Sequence, residues 1–170
     1  MPYGDRTVIS GKFRGQERCQ VDANGRIKLP PAFDGDFRQA GALEVALHLL
    51  PEGGLAIYPL PVWDGLRAKD AETAAQAATS VRARRHLRRF GAMTTVEGVS
   101  NQGRITIPPL FREQLGLEPG AAAVIAGCEI GVEVWNATRW QQELAAVTQQ
   151  EQRREEAEMQ AEIAGIHAET

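Results

Sequence analysis

The chain has 170 residues, 43% of them hydrophobic and 24% charged, with a formal net charge of −3. That length allows one ordinary domain or two small intertwined ones, and the apolar share permits a real core. A mildly acidic chain is not a polycation, so a nucleic-acid role would need positive charge gathered locally.

In chain order, residues 1–12 lack an apolar stretch and read as a short flexible lead rather than a signal peptide. Gly15 to Asp22 is polar and mixed and suits an edge strand. Asn24-Gly25 is a turn signal, and Ile27-Lys28-Leu29 alternates as the return strand of a hairpin would. Pro30-Pro31 ends that strand. Pro31 can open a short helix through Phe33, which Asp34-Gly35-Asp36 weakens. Leu43 to Leu50 reads as a buried strand, returned by Gly53-Gly54 along Leu55 to Leu60, and Pro61 opens a helix carrying Trp63 and Leu66. From Asp70 to Phe90 the chain is Ala-rich and then Arg-rich, without Gly or Pro, which predicts one helix closed by Gly91.

The same order then recurs. Met93 to Val99 reads as a strand, Gln102-Gly103 as a turn and Ile105 to Ile107 as a strand. Pro108-Pro109 leads into a helix, Leu110 to Leu115, stopped by Gly116. Ala121 to Ala126 and Val132 to Trp135 form a hairpin. A last helix starts near Thr138 and passes Leu144 and Val147 into a charged tail over 149–170, helical or disordered.

The recurrence is explicit in the residues. Val21-Asp22-Ala23-Asn24-Gly25-Arg26-Ile27-Lys28-Leu29-Pro30-Pro31 returns as Val99-Ser100-Asn101-Gln102-Gly103-Arg104-Ile105-Thr106-Ile107-Pro108-Pro109, 78 positions on. Leu55-Ala56-Ile57-Tyr58 with Trp63 returns as Val132-Glu133-Val134-Trp135 with Trp140, 77 positions on. A unit this short buries little by itself, so two copies imply a pair with pseudo-two-fold symmetry.

The turn carries the chemistry. Asp22 and Arg26 lie four residues apart across it, and Gly25 permits positive φ. Asp22 can accept backbone N–H bonds and pair with Arg26, which braces the tip and fixes the guanidinium. The second copy keeps Gly103-Arg104 but has Ser100 in place of the carboxylate, so Arg26 should be better fixed than Arg104. From spacing alone, such an Arg is either structural and solvated or a ligand contact. In the helix, Arg82, Arg84, Arg85, Arg88 and Arg89 spread over an arc of about 160° opposite Ala83, Leu87 and Phe90. That face either pairs with acids and solvent or touches phosphate.

Other candidates are bland. Cys19 and Cys128 have no CxxC partner and fit packed, reduced thiols. His48, His86 and His167 lack metal spacing, and His48 reads as a satisfied core residue. Trp63, Trp135 and Trp140 read as core or interface anchors. No phosphate loop, nucleophile elbow or paired carboxylates point to an enzyme, and no cofactor or small-molecule ligand is expected. No apolar run reaches the roughly 20 residues of a membrane span.

Three blocks stand out together: Phe13-Arg14-Gly15 followed by Asp22-x-x-Gly25-Arg26-Ile27-x-Leu29-Pro30, then Arg82-x-x-Arg85-x-x-x-Arg89-Phe90-x-Ala92, then Gly103-Arg104-Ile105-Thr106-Ile107-Pro108-Pro109-x-Phe111-Arg112 with Val134-Trp135 and Arg139-Trp140. In this order and spacing they resemble the MraZ family of bacterial transcriptional regulators, built from two tandem SpoVT/AbrB-type units. The resemblance covers roughly residues 13–148. It implies an α+β, β-rich fold in which the two units form a pseudo-two-fold swapped-hairpin β-barrel with flanking helices. The units would span 13–69 and 92–148, joined by an Arg-rich helix over 70–91. It further implies a cytoplasmic, nucleoid-associated homo-oligomer, a ring, that binds repeated double-stranded DNA sites upstream of the division and cell-wall genes. The family's Asp-x-x-x-Arg loops face DNA. Carried over, they assign Arg26 and Arg104 as contacts, Asp22 as the residue orienting Arg26, Arg14 as a supporting contact and Asn24 at the loop tip. Asn24 stands where members often carry a basic residue, and Ser100 replaces the second Asp. Both departures keep open the alternative of a structural or protein-interaction module that has lost DNA binding. A small β-barrel enzyme is a third reading, with fold analogy alone behind it.

Overall fold

The computed structural model describes residues 12–168, so the lead expected over residues 1–12 lies, apart from Lys12, outside the described residues. Strands β1 (Gln16–Gln20), β2 (Arg26–Lys28), β3 (Glu44–Leu49) and β4 (Leu55–Pro59) come from the first copy of the repeat. Strands β5 (Thr94–Gly98), β6 (Arg104–Thr106), β7 (Ala122–Gly127) and β8 (Val132–Asn136) come from the second. They pair largely across the copies. The six-stranded antiparallel sheet runs β1-β7-β8-β4-β3-β5, and β2 pairs with β6 in a separate two-stranded ribbon.

This pairing corrects the expected local hairpin. Asn24-Gly25 does turn the chain, but β1 and β2 share no ladder. Instead, β1 pairs with β7 and β5 pairs with β3, so the first strand of each copy lies on the third strand of the other. The reason is burial. β2 and β6 are three residues long, and their central residues, Ile27 and Ile105, face each other at the centre of the ribbon and are fully buried. A hairpin formed within one copy would leave Ile27 without that partner. The six-stranded sheet does not close on itself, since β1 and β5 are its two edges.

One core serves both copies. Val45, Leu47, Leu55, Ile57, Ile125, Val132 and Val134 on one face of the large sheet pack in the same cluster as Ile27, Leu29, Ile105 and Ile107. Two short helices, α1 (Pro31–Gln39) and α5 (Pro109–Leu115), add Phe33, Phe37, Phe111 and Leu115. Helix α1 runs six residues past the expected stop at Phe33, straight through Asp34-Gly35-Asp36. Phe33 and Phe37 lie one turn apart and are both buried, and Phe37 sits 4.7 Å from Phe13 between ring centroids. Tertiary burial of that pair outweighs the poor local propensity.

The helix predicted over 70–91 is two helices, α3 (Asp70–Gln76) and α4 (Val81–Ala92), following α2 (Leu60–Arg67). Ser80 starts a new helix there, its Oγ accepting the Ala83 N–H at 3.1 Å. Arg84 reaches back to donate to the carbonyl of Ala77 at 2.9 Å, satisfying an orphan acceptor beyond α3. Arg89 likewise donates to the Leu49 carbonyl, so two of the five arginines serve the fold. Arg82, Arg85 and Arg88 are exposed. His48 is buried beside Phe90 and Trp63, with its Nδ1 2.8 Å from Thr94 Oγ1. Burial, reinforced by Arg89 and Arg67, pushes its pKa down to about 4, as suits a neutral core imidazole. Cys19 and Cys128 are free and half-buried, and burial raises each thiol to about 11.

The body ending at Asn136 and the last helix are separate units. That helix, α6 (Ala137–Ala168), runs 32 residues without interruption. The tail expected over residues 149–170 is helical through Ala168, and Arg154 pairs with Glu158 along it at 2.8 Å. No helix among the described residues is long and apolar enough to cross a membrane.

Candidate nucleic-acid interface

Each copy of the repeat builds a tight turn between its first two strands. In the first, the Gly25 N–H donates to the Asp22 carbonyl at 3.0 Å and the Asp22 N–H to the Arg26 carbonyl at 2.8 Å. In the second, the Gly103 N–H donates to the Ser100 carbonyl at 2.9 Å and the Ser100 N–H to the Arg104 carbonyl at 3.0 Å. Gly25 and Gly103 take φ of +71° and +72°, a backbone that L side chains rarely adopt.

The side chains differ. Asp22 Oδ1 accepts the N–H groups of Asn24 and Arg26, each at 2.9 Å, and Oδ2 accepts Arg26 Nε at 3.0 Å. These contacts, the Arg26 N–H foremost, hold the Asp22 carboxyl below its usual range. At the second turn, Ser100 Oγ accepts the Arg104 N–H at 3.0 Å, and the Arg104 guanidinium donates to the amide oxygen of Gln102. Arg26 is thus held by a carboxylate through a charge-assisted bond, whereas Arg104 rests on a neutral amide.

Each turn is seated from below by an arginine of the other copy. Arg112 on α5 donates through Nη1 to the Ile107 carbonyl at 2.9 Å and to the Gly25 carbonyl at 3.5 Å. It lies so close that a Cβ at Gly25 would fall 1.6 Å from Nη1. Arg38 on α1 donates to the carbonyls of Asn101 at 3.0 Å and Ser100 at 3.4 Å, and its Nε pairs with Asp34 at 2.9 Å. Each turn is thus braced from the other copy through its backbone carbonyls: Gly25 in the first, Ser100 and Asn101 in the second.

The ribbon joins the two turns. Ile27 and Ile105 point into the core, so alternation places Arg26, Lys28, Arg104 and Thr106 on the opposite face. The register sets Arg26 across from Thr106 and Lys28 across from Arg104. Lys28 is exposed, and Arg26 and Asp22 each have 35% of the side chain exposed. Of the expected site residues, Arg26, Arg104, Asp22 and Asn24 come together at the ribbon and its turns. Arg14 does not. It lies beyond the far end of β1, paired with Glu129 at 3.2 Å in the β7–β8 loop. The whole of β1 separates it from Asp22. Sequence reasoning passed over Lys28, although its period-two spacing from Arg26 across a buried Ile was the available signal. It also passed over Arg38, Asp34 and Arg112, whose seating role depends on contacts between the copies.

Comparison with known proteins decides the kinship. A family model described as "MraZ protein, putative antitoxin-like" matches residues 96–162. A protein of Solidesulfovibrio magneticus named transcriptional regulator MraZ is 33% identical over 134 residues, 78% of this chain and 84% of that one. The chain belongs to the MraZ family. MraZ proteins of Herpetosiphon aurantiacus and Azotobacter vinelandii, both also named transcriptional regulators, are 31% and 32% identical over 76% and 81% of this chain. The alignment covers 84% and 91% of those two MraZ proteins.

Proposed function

We propose that this chain is a transcriptional regulator that binds double-stranded DNA through the β2–β6 ribbon and its two turns. The observation that carries the reading is the set of cations that one rigid two-stranded ribbon projects on the face opposite its buried isoleucines. A two-stranded ribbon fits the major groove, and arginine is the commonest side chain to read guanine there. The names of the relatives point the same way. The reading extends to a homo-oligomeric ring whose many ribbons engage repeated sites upstream of division and cell-wall genes, in the cytoplasm at the nucleoid. Avidity of that kind would let a mildly acidic chain hold a polyanion. The two copies, 13–69 and 92–148, act in it as SpoVT/AbrB-type units in a swapped-hairpin arrangement. Support comes from the pairing of each copy's first strand with the other's third.

The test is a gel shift on the DNA upstream of the chain's own gene. Arg26→Ala with Arg104→Ala should weaken binding by roughly a hundredfold, since one arginine that reads a base is worth about 1–3 kcal/mol and the second removes a further cation from the interface. Unchanged binding would remove the ribbon from the interface. Absence of any shift for the native protein at low salt favours a protein-interaction module of the same fold.

A further inference from the structure

We propose that the two ends of the ribbon divide the work: Lys28 and Arg104 grip a DNA phosphate, while Arg26, held by Asp22, reads a base edge. This rests on the DNA-binding reading above and adds to it a residue and an assignment of roles.

The register carries the inference. Lys28 stands directly across from Arg104. Residues so placed in an antiparallel pair have Cβ atoms about 4.5–5.5 Å apart, and like charges there destabilise the pairing. Among the described residues neither is in an ion pair within 4.0 Å, and the Arg104 guanidinium hydrogen-bonds to the neutral Gln102 amide. The fold does not demand this repulsion. Lys28 is exposed, and the position that matches it in the other copy is Thr106. At the opposite end, Arg26 faces Thr106 and is neutralised by Asp22 at 3.0 Å. One end of the ribbon therefore carries two uncompensated positive charges and the other carries none.

Each end suits a different part of the duplex. Two adjacent cations without a counter-ion are relieved by a phosphate oxygen lodged between them, and a mobile lysine needs no fixed geometry to supply its charge. A base edge requires an oriented fork. Asp22 engages Arg26 through Nε, which leaves both Nη groups to donate side by side.

The two roles separate in a salt titration of the full-length protein by fluorescence anisotropy. One duplex carries the chain's own upstream sequence, and the other is a shuffled duplex of the same length and composition. Lys28→Gln and Arg104→Gln should each weaken binding to both duplexes by a similar factor. Replaced together, they should also reduce the slope of log K against log salt by about 0.9 for every protomer in contact, since the two share one phosphate, and each alone by part of that. Arg26→Gln should weaken the upstream duplex alone, shrinking the ratio between the two. Lys28→Glu, which places a carboxylate across from Arg104, should raise the melting temperature while abolishing binding, a combination that a purely structural lysine would not give. The assignment is overturned if Lys28→Gln leaves the salt slope unchanged, or if it changes the ratio as Arg26→Gln does. If the native protein binds neither duplex, the DNA-binding reading fails, and this assignment with it.

Discussion

At the first turn a carboxylate, Asp22, accepts two backbone N–H groups and one guanidinium; at the second a hydroxyl, Ser100, accepts one N–H and leaves Arg104 to an amide. The backbone bonds and glycine angles of the two turns match closely. What diverged after duplication is the side-chain electrostatics laid over a shared scaffold. The seating diverged as well. Arg112 presses on Gly25, whereas its counterpart in the other copy is Asp34, and the second turn is held instead by Arg38. Symmetry in the backbone and asymmetry in charge together give one ribbon two unlike ends.

The largest expected contrast lies between the glycines. Gly25→Ala should cost about 3 kcal/mol, because the new Cβ adds left-handed strain and must displace the Arg112 guanidinium from its carbonyls. Gly103→Ala, whose Cβ would meet Asp34 Oδ1 at 3.1 Å, should cost about 1 kcal/mol, mostly strain. Urea denaturation of the two variants measures the difference, and equal costs would mean that Arg112 yields freely. Next comes exchange of the turn residues. Asp22→Ser should weaken binding to the upstream duplex about tenfold by freeing Arg26, the lower end of what a good base contact is worth. Ser100→Asp should compensate the charge beside Lys28 and flatten the salt dependence instead. If both exchanges act alike, the two ends are equivalent.

The smallest expected effect is one of pH. The folded-state pKa of Asp22 is depressed, so its stabilising contribution is complete above the unfolded value near 3.8 and is lost as pH falls through the lower folded value. The urea midpoints of native protein and Asp22→Ser should therefore differ at neutral pH and converge in acid. Ser100→Ala, which removes a group that does not titrate, should shift the midpoint by the same amount throughout that range. A pH-independent gap for Asp22→Ser would mean that its ionisation is not what holds the turn.

Much of this molecule was legible in its residues. The repeat, the two Gly-Arg turns, the Asp22–Arg26 pair, and the packing of His48 and the cysteines follow from local chemistry: a carboxylate four residues before an arginine across a tight turn has its partners within reach whatever the rest of the chain does. The unequal fixing of the two arginines was legible for the same reason, since Asp and Ser differ in charge. One misreading arose where local preference met distant burial. Asp34-Gly35-Asp36 is a poor helix segment, yet α1 passes through it because Phe37 reaches the core.

What the sequence by itself determined was most of the inventory: the strands and their order, where the chain turns, and which charges stand at the turns. Only the tertiary structure decided partnership. That β2 pairs with β6 rather than folding back on β1, that Lys28 faces Arg104, and that Arg38 and Arg112 each support the other copy's turn all depend on contacts between positions tens of residues apart. Strands this short specify no register by themselves. The register is fixed by burial of Ile27 against Ile105, since a slip of one residue would set Ile27 across from Arg104 or Thr106, leaving one isoleucine in water or one polar side chain in the core.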